Sequence, residues 1–356
     1  MAYSGTVGTT VITVQSFIDQ GARLSGKLAE ELTNEQVSAS KQALFFVLSN
    51  LINQGINYWA LSKVVYGLQP NQYEYDLPLG GVDVLNALYR TMARPSGSYS
   101  SSAGGVVGNI YDANTSTYCQ QTSPNGDFTV VYGSNNPQYI GSIGFMPYVS
   151  GGSAVWNYYF QSSSDGTIWT TLYTGTNVTV TNGQWIFQDI DPGADVSYYR
   201  MQAFGGTTLA LYEWYLGNNS TEITMARLNR DDYTNLPNKN FTANQPYQFW
   251  FNRQIPQPKI TLWPTPSNAF VQMTVWYSRQ IQDVGALSGE LEIPQRWNQA
   301  IQFLLAHQMS MILPNVDLAR ITYLEGQAQN YFIMAEQEER DKSPIFFTPS
   351  IGVYTT

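Results

Sequence analysis

One cysteine and one histidine in 356 residues leave most metal and nucleophile chemistry short of parts. Cys119 alone excludes an internal disulfide, and His307 alone removes His-rich zinc sites and most His-dependent triads. Charge is scarce as well: Asp, Glu, Lys and Arg make up 12% of the chain, with 26 acids against 17 bases for a net charge of -9. That balance opposes a phosphate-gripping surface, so tight nucleic-acid binding is not expected. No stretch approaches the unbroken apolar run of a membrane span. The opening Met1-Ala-Tyr-Ser-Gly-Thr has neither a basic region nor a hydrophobic signal core, so neither secretion by signal peptide nor membrane embedding is expected.

What is present is aromatic and β-branched, and it is unevenly distributed. Helix-period apolar residues run to about Arg94. Pro95-Ser-Gly-Ser-Tyr-Ser-Ser-Ser-Ala-Gly-Gly is then a Gly/Ser-rich hinge, and short aromatic runs separated by Asn-Gly, Asp-Gly and Gly-Gly turns follow it. Gly217-Asn-Asn-Ser220 closes the excursion. Residues 95–216 therefore read as an all-β jelly-roll insert, whose Asp112, Asp127, Asp165, Asp189, Asp191, Asp195 and Glu213 face a single base, Arg200. Residues 1–94 and 217–340 are the halves of a host domain, and 341–356 is an extended C-terminal arm. The fold class expected is α+β: a helix bundle with β-hairpins, interrupted by the sandwich.

In the host, Thr33-Asn-Glu-Gln36 is a capping box that starts a helix through to about Trp59, with Val37, Leu44, Phe45, Leu48, Leu51 and Ile52 as its apolar stripe. An earlier helix is predicted over about Val14–Leu32, with Gly21 and Gly26 weakening it. Tyr73-Glu-Tyr-Asp-Leu-Pro78 alternates like a strand; Val82 to Met92 resumes helical spacing. Pro258–Pro266 and Val271–Tyr277 predict a hairpin around a Pro-x-Pro turn. Pro294 opens a helix carrying Trp297, Ile301, Leu304, Leu305 and Met309, and a last helix spans about Val316 to Glu339. Beyond Arg340 the arm is too proline-interrupted for a helix and too apolar for a solvated tail. Its Ile345, Phe346, Phe347, Ile351 and Tyr354 either fold back on their own subunit or dock on a neighbour or partner.

No enzyme is expected. Glu290 with Glu292, and Glu336 with Glu338 and Glu339, are carboxylates on polar helix ends, without the fixed separation and unequal pKa values of a glycosidase pair, and are expected to be solvated. His307 reads as a packing histidine and Cys119 as a small buried apolar residue. No cofactor is implied.

The order Tyr73-Glu-Tyr-Asp-Leu-Pro, Asp232-Tyr233 with Leu236-Pro237 and Lys239, Ile260-Thr-Leu-Trp-Pro-Thr-Pro, Val275-Trp-Tyr-Ser-Arg279 and Leu291-Glu-Ile-Pro-Gln-Arg-Trp297 with Leu304-Leu-Ala306 resembles the head-to-tail adaptors of short-tailed bacteriophages, the P22-type tail accessory factor family. The resemblance covers most of 13–94 and 220–340. It implies a structural virion protein at the head-tail junction, assembled in the host cytoplasm. Such a protein forms a homo-oligomeric ring of about twelve subunits beneath the portal protein. It carries the tail or nozzle proteins and lets genome DNA pass without sequence-specific binding.

Within the insert, Asn109-Ile-Tyr-Asp-Ala-Asn-Thr-Ser-Thr-Tyr118, Phe160-Gln-Ser-Ser-Ser-Asp-Gly-Thr-Ile-Trp-Thr-Thr-Leu172 and Ser197-Tyr-Tyr-Arg-Met-Gln202 resemble discoidin-like, or coagulation factor 5/8 C-type, jelly rolls, with Tyr118 where the family more often has tryptophan. The Asp165-Gly166 turn should pair two strands, with Trp169 plugging the sandwich. Trp185 and Tyr199 are expected in the core. Such folds often bind sugars through loops, which makes Asp127, Tyr148, Trp156 and Tyr158 candidate glycan or partner contacts. The functional alternative to the adaptor is therefore a glycan-binding virion decoration protein, with a cell-wall hydrolase as a further alternative. Asp112, Asn114 and Thr115 either offer oxygens to a calcium ion or close an Asx-turn.

Overall fold

A computed structural model of the chain describes residues 10–54, 58–91, 95–133, 136–217 and 222–339. The apolar arm residues Ile345, Phe346, Phe347, Ile351 and Tyr354 lie outside the described residues. The chain divides into two compact units, Met1–Leu61 with Ser278–Thr356, and Ser62–Tyr277. The architecture is mixed α+β, with β-sheets predominating.

In chain order the elements are α1 (Val14–Leu24), α2 (Asn34–Asn53), β1 (Leu61–Gly67), β2 (Glu74–Asp76) and β3 (Gly81–Thr91). The next stretch supplies β4 (Ser98–Ser101), β5 (Cys119–Gln120), β6 (Asp127–Val131), β7 (Ser142–Pro147), β8 (Ser153–Ser163), β9 (Thr170–Thr181), β10 (Ile186–Asp189), β11 (Tyr198–Ala203) and β12 (Ala210–Gly217). The chain continues through β13 (Glu222–Thr224), β14 (Ala226–Leu228), α3 (Arg230–Thr234), β15 (Thr242–Ala243), β16 (Gln248–Asn252), β17 (Lys259–Trp263), β18 (Thr265–Pro266) and β19 (Val271–Arg279). It ends in α4 (Asn298–Ile312) and α5 (Leu318–Glu339).

The first unit is helical, and its core draws on both ends of the chain: Phe17 and Ile18 of α1 and Leu44, Val47, Leu48 and Leu51 of α2 pack with Trp297, Ile301, Leu305 and Met309. The Thr33 capping box forms as predicted: the Gln36 N-H donates to Thr33 Oγ1 at 3.2 Å and the Thr33 N-H to Gln36 Oε1 at 2.9 Å. Helix α1 stops at Leu24 rather than Leu32, because Gly26 adopts φ +84°, a left-handed conformation that turns the chain away. Phe45 departs from the expected stripe and is exposed. The solvated-face reading fails at two carboxylates. Glu292 accepts from both terminal nitrogens of Arg279, and Glu339, nearly buried, accepts from Arg296 and from Trp297 Nε1 at 3.1 Å.

Val82–Met92, read as helical, is instead strand β3, with the final Met92 outside the described residues. Val84, Ala87 and Tyr89 are buried against β16, β17 and β19, and pairing with β13 puts Tyr89 opposite Ile223. A short apolar run fits either period, and the tertiary partner decides. The expected hairpin between Pro258–Pro266 and Val271–Tyr277 is absent. Strand β17 pairs with β16 and β2, whereas β19 lies between β1 and β3 in another sheet. Pro264 and Pro266 lack the N-H groups a tight two-strand ladder needs, and Thr265–Pro266 pairs with Thr242–Ala243 instead.

Residues 98–217 form two facing sheets, a five-stranded one ordered β4-β6-β11-β8-β9 and a four-stranded one ordered β10-β7-β12-β5. Between them lie Phe128, Val130, Phe145, Tyr158, Phe160, Tyr199, Met201, Leu211, Trp214 and Leu216, alternate residues of their strands as a sandwich requires, except where the register of β12 shifts between Leu211 and Glu213. Cys119 is buried there, and desolvation raises its thiol pKa. The four-stranded sheet presents Met146, Trp185 and Tyr215 to Phe270. Trp185 Nε1 donates to the Ala269 carbonyl at 3.0 Å, and the indole lies so close to β1 that only a glycine fits at position 67. Trp185 is thus buried as expected, but at this seam rather than in the sandwich interior. Beside it Asp189 pairs with Lys63 and, at 3.4 Å, with Arg90, whose other carboxylate partner is Glu222 at 2.7 Å.

Candidate functional site

Alternation along the five-stranded sheet sends Tyr199, Met201 and Ala203 inward, and so turns Tyr198, Arg200 and Gln202 outward. Directly opposed residues share a face. Arg200 therefore stands in a row with Thr129, Gln161 and Thr171, and Gln202 in the next row with Asp127, Tyr159 and Thr174. The outward face has a polar centre, and aromatic rings flank it.

At the first row, the Arg200 guanidinium lies 4.1 Å from the Trp169 ring centroid, and its Nε donates to Gln161 Oε1 at 2.6 Å. Gln161 is itself fixed, its Nε2 donating to Thr171 Oγ1 at 3.0 Å. Burial under the indole lowers the Arg200 pKa, and the negative field of Asp127 opposes that shift. At the second row, Tyr159 stacks on Phe204 with centroids 4.3 Å apart and planes 17° apart. Asp127 holds Thr129 Oγ1 at 3.2 Å.

Trp169 does not plug the sandwich. It is half-buried on the outside, against the outward-facing Arg200, and the turn that precedes it is clamped by Asp165. Asp165 accepts from the Thr167 hydroxyl at 2.7 Å, from the N-H groups of Thr167 and Ile168 at 2.8 and 2.9 Å, and from the Ser163 hydroxyl at 3.0 Å. Those donors, the Thr167 hydroxyl first, hold its carboxyl far below the usual range. Gly166 takes φ +74° there, and β8 pairs antiparallel with β9 as the Asp-Gly turn predicts.

Of the candidate contacts from the sequence, Trp156 and Tyr158 are not loop residues but core residues of β8, 5% and 1% exposed. Asp127 is on the outward face just described. Tyr148 belongs to a separate aromatic group on the other sheet, stacked on Tyr118 at 3.8 Å and 8°, with Tyr212 edge-on to both. Asp127 and Tyr148 are thus not in one site.

Asp112 closes an Asx-turn. Its Oδ1 accepts the Asn114 N-H at 2.9 Å and its Oδ2 the Thr117 hydroxyl at 2.8 Å, while Asn114 Oδ1 accepts the Ser116 N-H at 3.0 Å. The same Asn114 N-H is 2.8 Å from Oε1 of Glu213, a fully buried carboxylate that sequence reasoning passed over. Among the described residues no group of three or more His, Cys, Asp or Glu side chains is placed to hold a metal ion. No described helix is long and apolar enough to cross a membrane.

Sequence reasoning also missed Arg200, Gln161, Tyr159 and Phe204. The signal was there in Arg200, the only base of residues 95–216, on a strand of strict alternation.

No family model matches the chain, and no curated protein does. Solved structures similar to part of it include the CBM32 of AlyQ in complex with 4,5-unsaturated mannuronic acid, at 18% identity and TM-score 0.30, covering 37% of this chain and 98% of that one. A CBM32 of Clostridium perfringens GH89 in complex with GalNAc-β-1,3-galactose is 12% identical at TM-score 0.30, covering 34% and 95%. CBM62 of Clostridium thermocellum Xyl5A is 19% identical at TM-score 0.32, covering 36% and 98%.

Proposed function

We propose that the sandwich of residues 98–217 is a glycan-binding module and that its ligand lies along the outward face of the five-stranded sheet. The observation that carries this is the arrangement of Arg200, Gln161 and Trp169 beside Gln202, Asp127 and the Tyr159–Phe204 stack. Sugars are held by aromatic faces against their C-H bonds and by amides, carboxylates and guanidinium groups against their hydroxyls, and this face supplies both. Its side chains are already ordered by one another, which lowers the entropic cost of binding. Display of the full-length chain on a glycan array tests the reading. Retention on a subset of glycans supports it, and no signal anywhere on the array removes it.

A second reading concerns the helical unit. Phe46, Leu318, Tyr323 and Met334 are 62–74% exposed, a density of large apolar side chains that suits lateral packing against other subunits. It favours the structural role that the adaptor resemblance implies: a virion subunit in a ring of about twelve, contacting portal and tail proteins, with the sandwich as its decoration. Negative-stain images of the purified protein with and without portal protein test it, a closed ring being the expected result.

A further inference from the structure

From the placement of one cation we infer the class of sugar. This rests on the glycan-binding reading: the outward face is built for a carboxylate-bearing saccharide, a uronic or sialic acid residue, whose carboxylate seats on Arg200.

In the same unit Lys63, Arg90, Arg227, Arg253 and Lys259 each have a carboxylate partner, at 2.7 Å for Arg90 and Arg227 and 3.3 Å for Arg253, whereas Arg230 and Lys239, which have none among the described residues, are exposed to solvent. Arg200 is half-buried, and among the described residues no carboxylate lies within ion-pair distance of it. This holds although seven acids and no other base share residues 95–216. A partly desolvated cation with no ion-paired partner, offset only by the field of Asp127 in the next row, is costly, and an incoming anion recovers part of that cost.

The geometry selects the anion's shape. Nε is occupied by Gln161 Oε1 and one guanidinium face is covered by Trp169, so the remaining donors are the Nη1 and Nη2 hydrogens at the end of the fork. Two parallel N-H groups in one plane match the two oxygens of a carboxylate. Hydroxyls need no such pair. The amide of Gln202, one row away, and the Tyr159 ring opposite it then meet the hydroxyls and C-H face of the same or the next residue. The acidity of the rest of the module has a consequence too. It repels polyanions in general, so that binding of an acidic glycan depends on the bidentate contact to Arg200 rather than on the overall field.

The test is calorimetric titration of the full-length chain with oligogalacturonate, oligomannuronate and sialyllactose, each beside its methyl ester, which keeps the shape and removes the charge. At least one acid is expected to bind tenfold or more tightly than its ester, with Arg200→Gln levelling the two. Gln161→Glu, which places a carboxylate against Arg200 from within, is a second variant. It should erase the preference for the acid over the ester, and its thermal melt shows whether the fold survives. Equal affinity for acid and ester, or an acid preference that persists in both variants, overturns the inference while glycan binding stands. If no saccharide binds, charged or neutral, the glycan-binding reading falls and the inference with it.

Discussion

The guanidinium of Arg200 lies 4.1 Å from the centroid of the Trp169 indole, on the outer surface of a sheet whose inner surface is packed with aromatic rings. A cation over an indole contributes about 0.5–2 kcal/mol, more as water is excluded. A double-mutant cycle with Trp169→Ala and Arg200→Ala in urea unfolding should therefore give a coupling of about 0.5–2 kcal/mol. Additive effects of the two substitutions would show that the stack is not energetically real.

The turn that presents Trp169 should be acid-sensitive. Asp165 has its folded-state pKa depressed by its hydroxyl and N-H donors, so the stability it contributes is present above the unfolded value of about 3.9 and is lost as pH falls toward and through the lower folded value. Two-dimensional NMR of the Thr167 and Ile168 amides is expected to show unchanged shifts from pH 7 to 4 and movement only below that. A midpoint near 4 would place the carboxylate outside this network.

Trp185 joins the sandwich to the neighbouring sheet through Ala269 and the tight approach at Gly67. Trp185→Ala should cost about 3–5 kcal/mol, since it opens a cavity and leaves a carbonyl without its donor. Gly67→Val should destabilise through overpacking at the same seam. Hydrogen exchange is expected to rise in β1 and β10 in both variants, while the Phe128–Phe145–Phe160 core stays protected.

Much of the helical unit was legible from the sequence. The Thr33–Gln36 box, the stripe of α4 and the start of α5 rest on local rules, which a linear reading can apply. The Asp165-Gly166 turn was legible for the same reason. What failed depended on partners distant in sequence. Val84 and Leu88 have helical spacing, yet they lie in a strand because β13 and β19 flank them. The site was hidden by a parity question. Tyr158 and Tyr159 are alike as letters, and only strand register decides that the first is core and the second is surface.

The loop at Asp112 gives a test of its own. Its carboxylate is occupied by the Asn114 N-H and the Thr117 hydroxyl, so excess calcium should leave the melting temperature unchanged within about a degree. Saturating a cation site at a hundredfold excess over Kd would add about 2.7 kcal/mol, a shift of several degrees that would assign Asp112 and Glu213 to a metal ion instead.

Glycan binding on the outward face stands or falls on a titration of wild-type and Tyr159→Ala/Trp169→Ala protein with the glycan that gives the strongest array signal. Both rings lie outside the sandwich core, so the double variant should keep the wild-type near-ultraviolet profile of the interior aromatics. A loss of affinity of at least tenfold, or about 1.4 kcal/mol, is expected with the fold intact. Unchanged affinity would contradict it and move the binding surface elsewhere on the chain.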